Sequence, residues 1–182
     1  MTLLYQLSYM NQRAVPLLGS KIKERLERHP DYADFIILCI GTDRCTGDAL
    51  GPLVGMLLEK QNLIYPQVWG TLEKPIHALN LKEAIHKLSA KPNPLVIAVD
   101  ACLGLPQHVG DIQVVDGPLR PGLGVKKILP QVGHFHIKGI VNASGFLDSM
   151  VLQNTRLHTV MQMAQVITDA LLYALKNQGD DP

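Results

Sequence analysis

Two aspartates stand where an α/β protein would do its chemistry. Asp48 lies in the loop Gly41-Thr42-Asp43-Arg44-Cys45-Thr46-Gly47-Asp48-Ala49-Leu50-Gly51-Pro52, and Asp100 opens the segment Asp100-Ala101-Cys102-Leu103-Gly104. Each segment follows one of the most apolar runs of the chain, Phe35 to Ile40 and Leu95 to Val99. Ligands of open α/β sheets bind outside the carboxyl ends of the strands, so neighbouring strands here would turn both carboxyls into one cleft. Two carboxyls in one cleft resist ionising together: one keeps its proton while the other can take a proton from water. Such a pair can hydrolyse an amide without a covalent intermediate, or can hold a divalent cation. Taken singly, each acid has a plainer explanation. Asp48 suits the positive end of a helix dipole, and Asp100 suits a cap for the loop after its strand.

Other residues could serve the same cleft. Thr42 and Asp43 belong to the first loop, and Thr71 and Glu73 follow the short run Val68-Trp69; all four are candidate substrate contacts. A peptide lying there would be held through its backbone. His134 and His136 are two apart on a predicted strand and so share a face, as a ligand pair, a proton relay or simply surface histidines. No cofactor or metal is expected; a metal, if bound, would draw on Asp48, Asp100 and either His134 or His136. Cys45 and Cys102 sit beside the acids, but a thiol nucleophile needs a base to form thiolate, and small packing cysteines are commoner. The stretch Gly41 to Gly47 has neither the Gly-x-Gly-x-x-Gly pattern nor a Gly-Lys-Ser/Thr ending, which leaves nucleotide binding weakly supported.

The elements that must position these groups alternate between strand and helix. Residues 1–18 read as an irregular N-terminal arm, and 19–177 as one α/β domain. Within it, helices are predicted at Gly19 to His29, from near Asp48, from an Asn80 cap with Glu83 at the capping-box position to Leu88, at Gly145 to Leu152, and at Thr155 to Leu175. Strands are predicted at Phe35 to Ile40, Val68 to Trp69, Leu95 to Val99, Asp111 to Val115 and Gln131 to Val141, with a Pro/Gly-rich turn at Gly117 to Gly124 and frayed polar residues after the last helix. This order implies a three-layer, doubly wound, mostly parallel sheet with helices on both faces.

Composition narrows the function classes. The 182 residues are 47% hydrophobic and 18% charged, enough for a full core and unlike a disordered chain. A net charge of +1, with the Lys21 to Arg28 bases interspersed with acids, argues against a nucleic-acid partner. Three cysteines, Cys39, Cys45 and Cys102, without Cys-x-x-Cys spacing, suit a reducing cytoplasm rather than a disulfide framework. No stretch is apolar enough to span a bilayer, and the N-terminus makes a poor signal peptide. The N-terminal residues and the apolar C-terminal helix, with Met161 and Met163, raise the expectation of a homo-oligomer.

Motifs add a resemblance. Ile40-Gly41 followed by Thr46-Gly47-Asp48-Ala49-Leu50-Gly51-Pro52 resembles the first active-site loop of the germination protease family, and Val96-Ile97-Ala98-Val99-Asp100-Ala101 resembles its second aspartate segment. Over residues 20–176 the chain is similar to compact sporulation-protein relatives of that protease. The resemblance implies the fold shared by germination protease and the hydrogenase maturation endopeptidases, carries the two family aspartates onto Asp48 and Asp100, and implies a protein or peptide substrate in a sporulating cell or spore interior. The hydrogenase maturation enzymes hold nickel with their corresponding acids and a histidine before a later helix. Asn142 falls near that position, and Asn is a poor nickel ligand. A non-catalytic binding protein on the same fold, or a metal-dependent amidase, are the alternatives.

Overall fold

The computed structural model describes residues 1–122 and 129–176. Strands β1 (Thr2–Ser8), β2 (Asp34–Cys39), β3 (Gln67–Trp69), β4 (Pro94–Gly104), β5 (Asp111–Asp116) and β6 (Phe135–Ala143) form one sheet in the order β1-β5-β6-β4-β2-β3. The pairs β6-β4, β4-β2 and β2-β3 are parallel, and β5 runs antiparallel to both of its neighbours. The fold is therefore α/β with a mixed, mostly parallel sheet.

The apolar runs are continuous because both faces of the central strands are covered. Alternate residues Phe35, Ile37 and Cys39 of β2, and Leu95, Ile97 and Val99 of β4, join a core with helices α1 (Ala14–Leu26), α2 (Leu50–Glu59) and α5 (Leu157–Leu175). The intervening residues Ile36, Leu38, Ile40, Val96 and Ala98 face the other way, onto Leu81 and Leu88 of α3 (Leu81–Ser89). A short helix α4 (Asp148–Gln153) follows β6.

Several expectations need correction. Residues 1–18 are not an irregular arm: Thr2–Ser8 is an edge strand paired with β5, and the first helix begins at Ala14 rather than Gly19. Pro16 is tolerated there because first-turn N–H groups have no helical partner, and Gly19 lets α1 approach Tyr173 of α5, where an added Cβ would lie 2.5 Å from the ring. Asp100 does not end its strand, since β4 continues beside β6 through the pairs Asp100–Lys138 and Ala101–Gly139 to Gly104–Ala143. Asn80 precedes α3 without a side-chain cap; it accepts from the His77 N–H (2.8 Å) and donates to the Pro75 carbonyl (2.9 Å). Glu83 pairs instead with Lys87 one turn on, at 2.8 Å. The expected turn residues 123–124, the domain's last residue 177 and the frayed tail lie outside the described residues.

Candidate active site

Among the described residues the second face of the sheet packs against one helix, α3, and a cavity of about 940 Å³ opens on that face next to the segment His77 to Leu79 that leads into α3. Its floor is set by register. Asp100 lies two residues beyond Ala98 and so shares the α3 face; His136 pairs with Ala98 and Lys138 with Asp100 across the parallel ladder. Gln113 of β5 stands opposite Lys138, and Gln6 of β1 opposite Gln113. The result is a polar row, Gln6, Gln113, Lys138 and Asp100, crossing four strands on the cavity side. Gln113 donates to Gln6 at 2.8 Å, and Gln6 donates to Asp111 at 2.6 Å, which fixes the far end of the row.

Asp48 arrives from the loop after β2. That loop folds back until the Asp48 carbonyl accepts from the Thr42 N–H at 3.1 Å. The fold-back requires glycine at position 41: its φ is +145°, and an added Cβ would sit 1.9 Å from the Asp48 carbonyl oxygen. Gly51 does the same service for α2, where a Cβ would meet the Ile40 carbonyl at 2.1 Å. Asp48 is the second residue of a single 3-10 turn, Gly47–Ala49, which leads into α2. The Gly41 N–H donates to the Ile76 carbonyl at 2.8 Å, so the segment that follows Ile76 brings His77 to the same cavity.

Asp48 and Asp100 thus line one cavity. Their electrostatics differ. Asp100 is 9% exposed; burial, and then the negative charge of Asp48, push its carboxyl well above the usual range, against weaker opposing effects of the Ala101 N–H (2.9 Å) and Lys138. Asp48 is half-buried, and its carboxyl is also raised by burial, but the electrostatic effect of nearby His77 and the Thr42 N–H pull it back. Both shifts favour the protonated carboxyl, and more strongly at Asp100 than at Asp48.

Of the other expected residues, Thr42 lines the cavity and Asp43 does not. Thr71 and Glu73 do not reach it either: the chain turns sharply there, with the Thr71 hydroxyl accepting from the Lys74 N–H at 3.2 Å, and the wall is built instead by His77 to Leu79. His134 and His136 part company. His134 precedes β6, accepts at Nδ1 from the Val96 N–H (3.1 Å), stacks edge-on against His29, and lies in a separate small pocket. His136 is fully buried at the main cavity. Its Nδ1–H donates to the Gly117 carbonyl at 2.8 Å, because a carbonyl can only accept, which leaves Nε2 without a hydrogen-bond partner among the described residues. Burial lowers its pKa and favours the neutral ring. Asn142 is tied to Thr155 (3.2 Å) and does not line the cavity. Cys102 lines it, but burial pushes its thiol up to about 11, which makes it a poor nucleophile.

Of the two candidate histidines, His136 shares the cavity with Asp48 and Asp100 and His134 does not. Among the described residues no three His, Cys, Asp or Glu side chains are grouped to hold a metal ion. His77, Lys138 and the Gln6-Gln113 pair had gone unremarked in the sequence. The alternation His134, His136, Lys138 was the available signal, but it acquires meaning only once β6 is known to lie beside β4.

Residues 6–170 match the family model described as Protein of unknown function (DUF1256). The chain belongs to this family. A relative, the uncharacterized protein YyaC of Bacillus subtilis (strain 168), is 58% identical over 139 residues, which is 75% of this chain and 67% of YyaC. Among solved structures, the crystal structure of a NiFe hydrogenase maturation protease, HycI from Thermococcus kodakarensis KOD1, aligns with a TM-score of 0.47 and 19% identity, over 83% of this chain and 98% of that one. No helix among the described residues of the DUF1256 chain is long and apolar enough to cross a membrane.

Proposed function

We propose that this DUF1256 protein is a peptidase that uses Asp48 and Asp100 as a proton-sharing pair, acting on a protein made during sporulation or germination. The observation that carries the reading is the unequal pair itself: two carboxyls on one cavity wall, both raised by burial, Asp100 the more strongly and with the charge of Asp48 as a further cause. In this mechanism the Asp48 carboxylate takes a proton from water as the water oxygen bonds to the peptide carbonyl carbon. Asp100 gives its proton to the carbonyl oxygen, forming a neutral gem-diol. The C–N bond then breaks as Asp48 passes its proton to the leaving nitrogen and Asp100 recovers one from the diol. Both acids return to their starting states with one water consumed.

The motif resemblance around Asp48 and Asp100 supports the sporulation setting and, with it, a cytoplasmic or spore-interior location. The size of the cavity accommodates several residues of an extended peptide. The test is digestion of a random decapeptide library, with products read by mass spectrometry. Wild-type protein is expected to cleave a subset of peptides, and Asp48→Asn and Asp100→Asn variants, folded by circular dichroism, to cleave none. Equal cleavage by wild type and either variant overturns the proposal.

A further inference from the structure

The acid pair leaves one strongly charged neighbour unused. Lys138 stands beside Asp100 in the β4–β6 register, on the same face of the sheet, half-buried at the cavity floor. Its ladder partners are Asp100 on β4 and Gln113 on β5, with Cys102 and His136 two residues away on β4 and on its own strand, and all of these line the cavity. Among the described residues it enters no salt bridge, although its charge is felt at Asp100, Cys102 and His136. A lysine placed only to neutralise Asp100 would close onto its carboxyl. This one forms no ion pair with it and lines the same cavity, so its ammonium is available to a bound group.

Building on the peptidase reading above, we infer that Lys138 is a further catalytic residue, whose ammonium faces the substrate carbonyl oxygen and stabilises the charge gathering there as water adds. The Asp100 proton approaches that oxygen from one strand and the Lys138 ammonium from the next. Lys138 forms and breaks no bond; it acts electrostatically in a site where burial strengthens every charge interaction. It has a second effect on the same step. By favouring the ionised form of Asp100, it makes that buried acid a readier proton donor.

The experiment compares wild type with Lys138→Met and Lys138→Arg, using the fastest-cleaved peptide of the library. Loss of an oxyanion-stabilising group lowers kcat by roughly 100-fold or more. Lys138→Met is expected to show that loss with KM changed less than about twofold, a split characteristic of transition-state contacts. Lys138→Arg, which keeps the charge, is expected to recover most of the rate. Infrared titration of the Asp100 carboxyl, identified by its loss in Asp100→Asn, gives a readout that needs no turnover: its midpoint is expected to move up in Lys138→Met and to return in Lys138→Arg. Unchanged kcat, or a raised KM at full kcat, overturns the assignment, as does an Asp100 midpoint indifferent to Lys138→Met. If wild type cleaves nothing, the peptidase reading falls, and the titration still decides whether Lys138 acts on Asp100.

Discussion

The two acids reach the cavity by different means. Asp100 is carried on a central strand, paired with Lys138 of β6 one residue past the end of the β2 ladder, and almost sealed from solvent. Asp48 is carried on a loop that close-packed glycines press against the end of β2, and its carboxyl stays half-open beside His77. The strand supplies desolvation and rigidity. The loop supplies a more open position with His77 beside it. Chemically identical side chains thereby acquire unequal proton affinities, the higher at Asp100, and the backbone setting makes the difference.

The largest expected difference between the two settings comes from lengthening each acid by one methylene. Asp100→Glu has no room to adjust on its strand, and a displacement near 1 Å costs about 100-fold in rate. Asp48→Glu, at the edge of a wide cavity, should lose about tenfold. Rates of library-peptide cleavage check both, and equal losses would erase the distinction between strand and loop.

Gly41→Ala attacks the loop alone. A Cβ there meets the Asp48 carbonyl at a backbone angle that side chains rarely adopt, so a destabilisation of about 1–3 kcal/mol is expected in urea unfolding. Cleavage should fall with it while Asp100 still titrates high. Retained stability and activity would show that the fold-back at Gly41 does not hold Asp48.

A smaller effect appears in the pH dependence of stability. An acid whose carboxyl is raised on folding contributes stability in full below its unfolded value, about 3.9, and loses it as pH rises through the folded value. Asp100 is raised more strongly than Asp48, for which His77 and the Thr42 N–H offset burial. Relative to wild type, Asp100→Asn should therefore gain stability steadily from about pH 4 upward, with Asp48→Asn showing the same sign and a smaller slope. Thermal unfolding midpoints across pH measure both, and a steeper slope for Asp48→Asn would reverse the assignment of roles.

Much of this was legible in the sequence, for identifiable reasons. The runs Phe35 to Ile40 and Leu95 to Val99 announce strands buried on both faces, and each leads directly to one of the acids. What the sequence hid depended on partners far along the chain. Thr2–Ser8 becomes a strand only through pairing with residues 111–116, and β4 runs on past Asp100 only because β6 lies alongside it. Pro16 and Gly19 look like breakers, yet one sits in a first turn and the other at a tight helix crossing. Thr71 and Glu73 follow a strand end, where binding loops are expected, but their turn bends away and His77 takes that place. His134 and His136 are separated by where β6 begins, a boundary that two-residue spacing cannot reveal.

The account rests on electrical contact between Asp48 and Asp100, and the most direct measurement is the infrared titration of the Asp100 carboxyl with and without Asp48→Asn. Removing the neighbouring charge should move the Asp100 midpoint down while burial keeps it above an ordinary aspartate. An Asp100 that titrates identically in both proteins would mean that the two acids do not sense one another and do not share a proton.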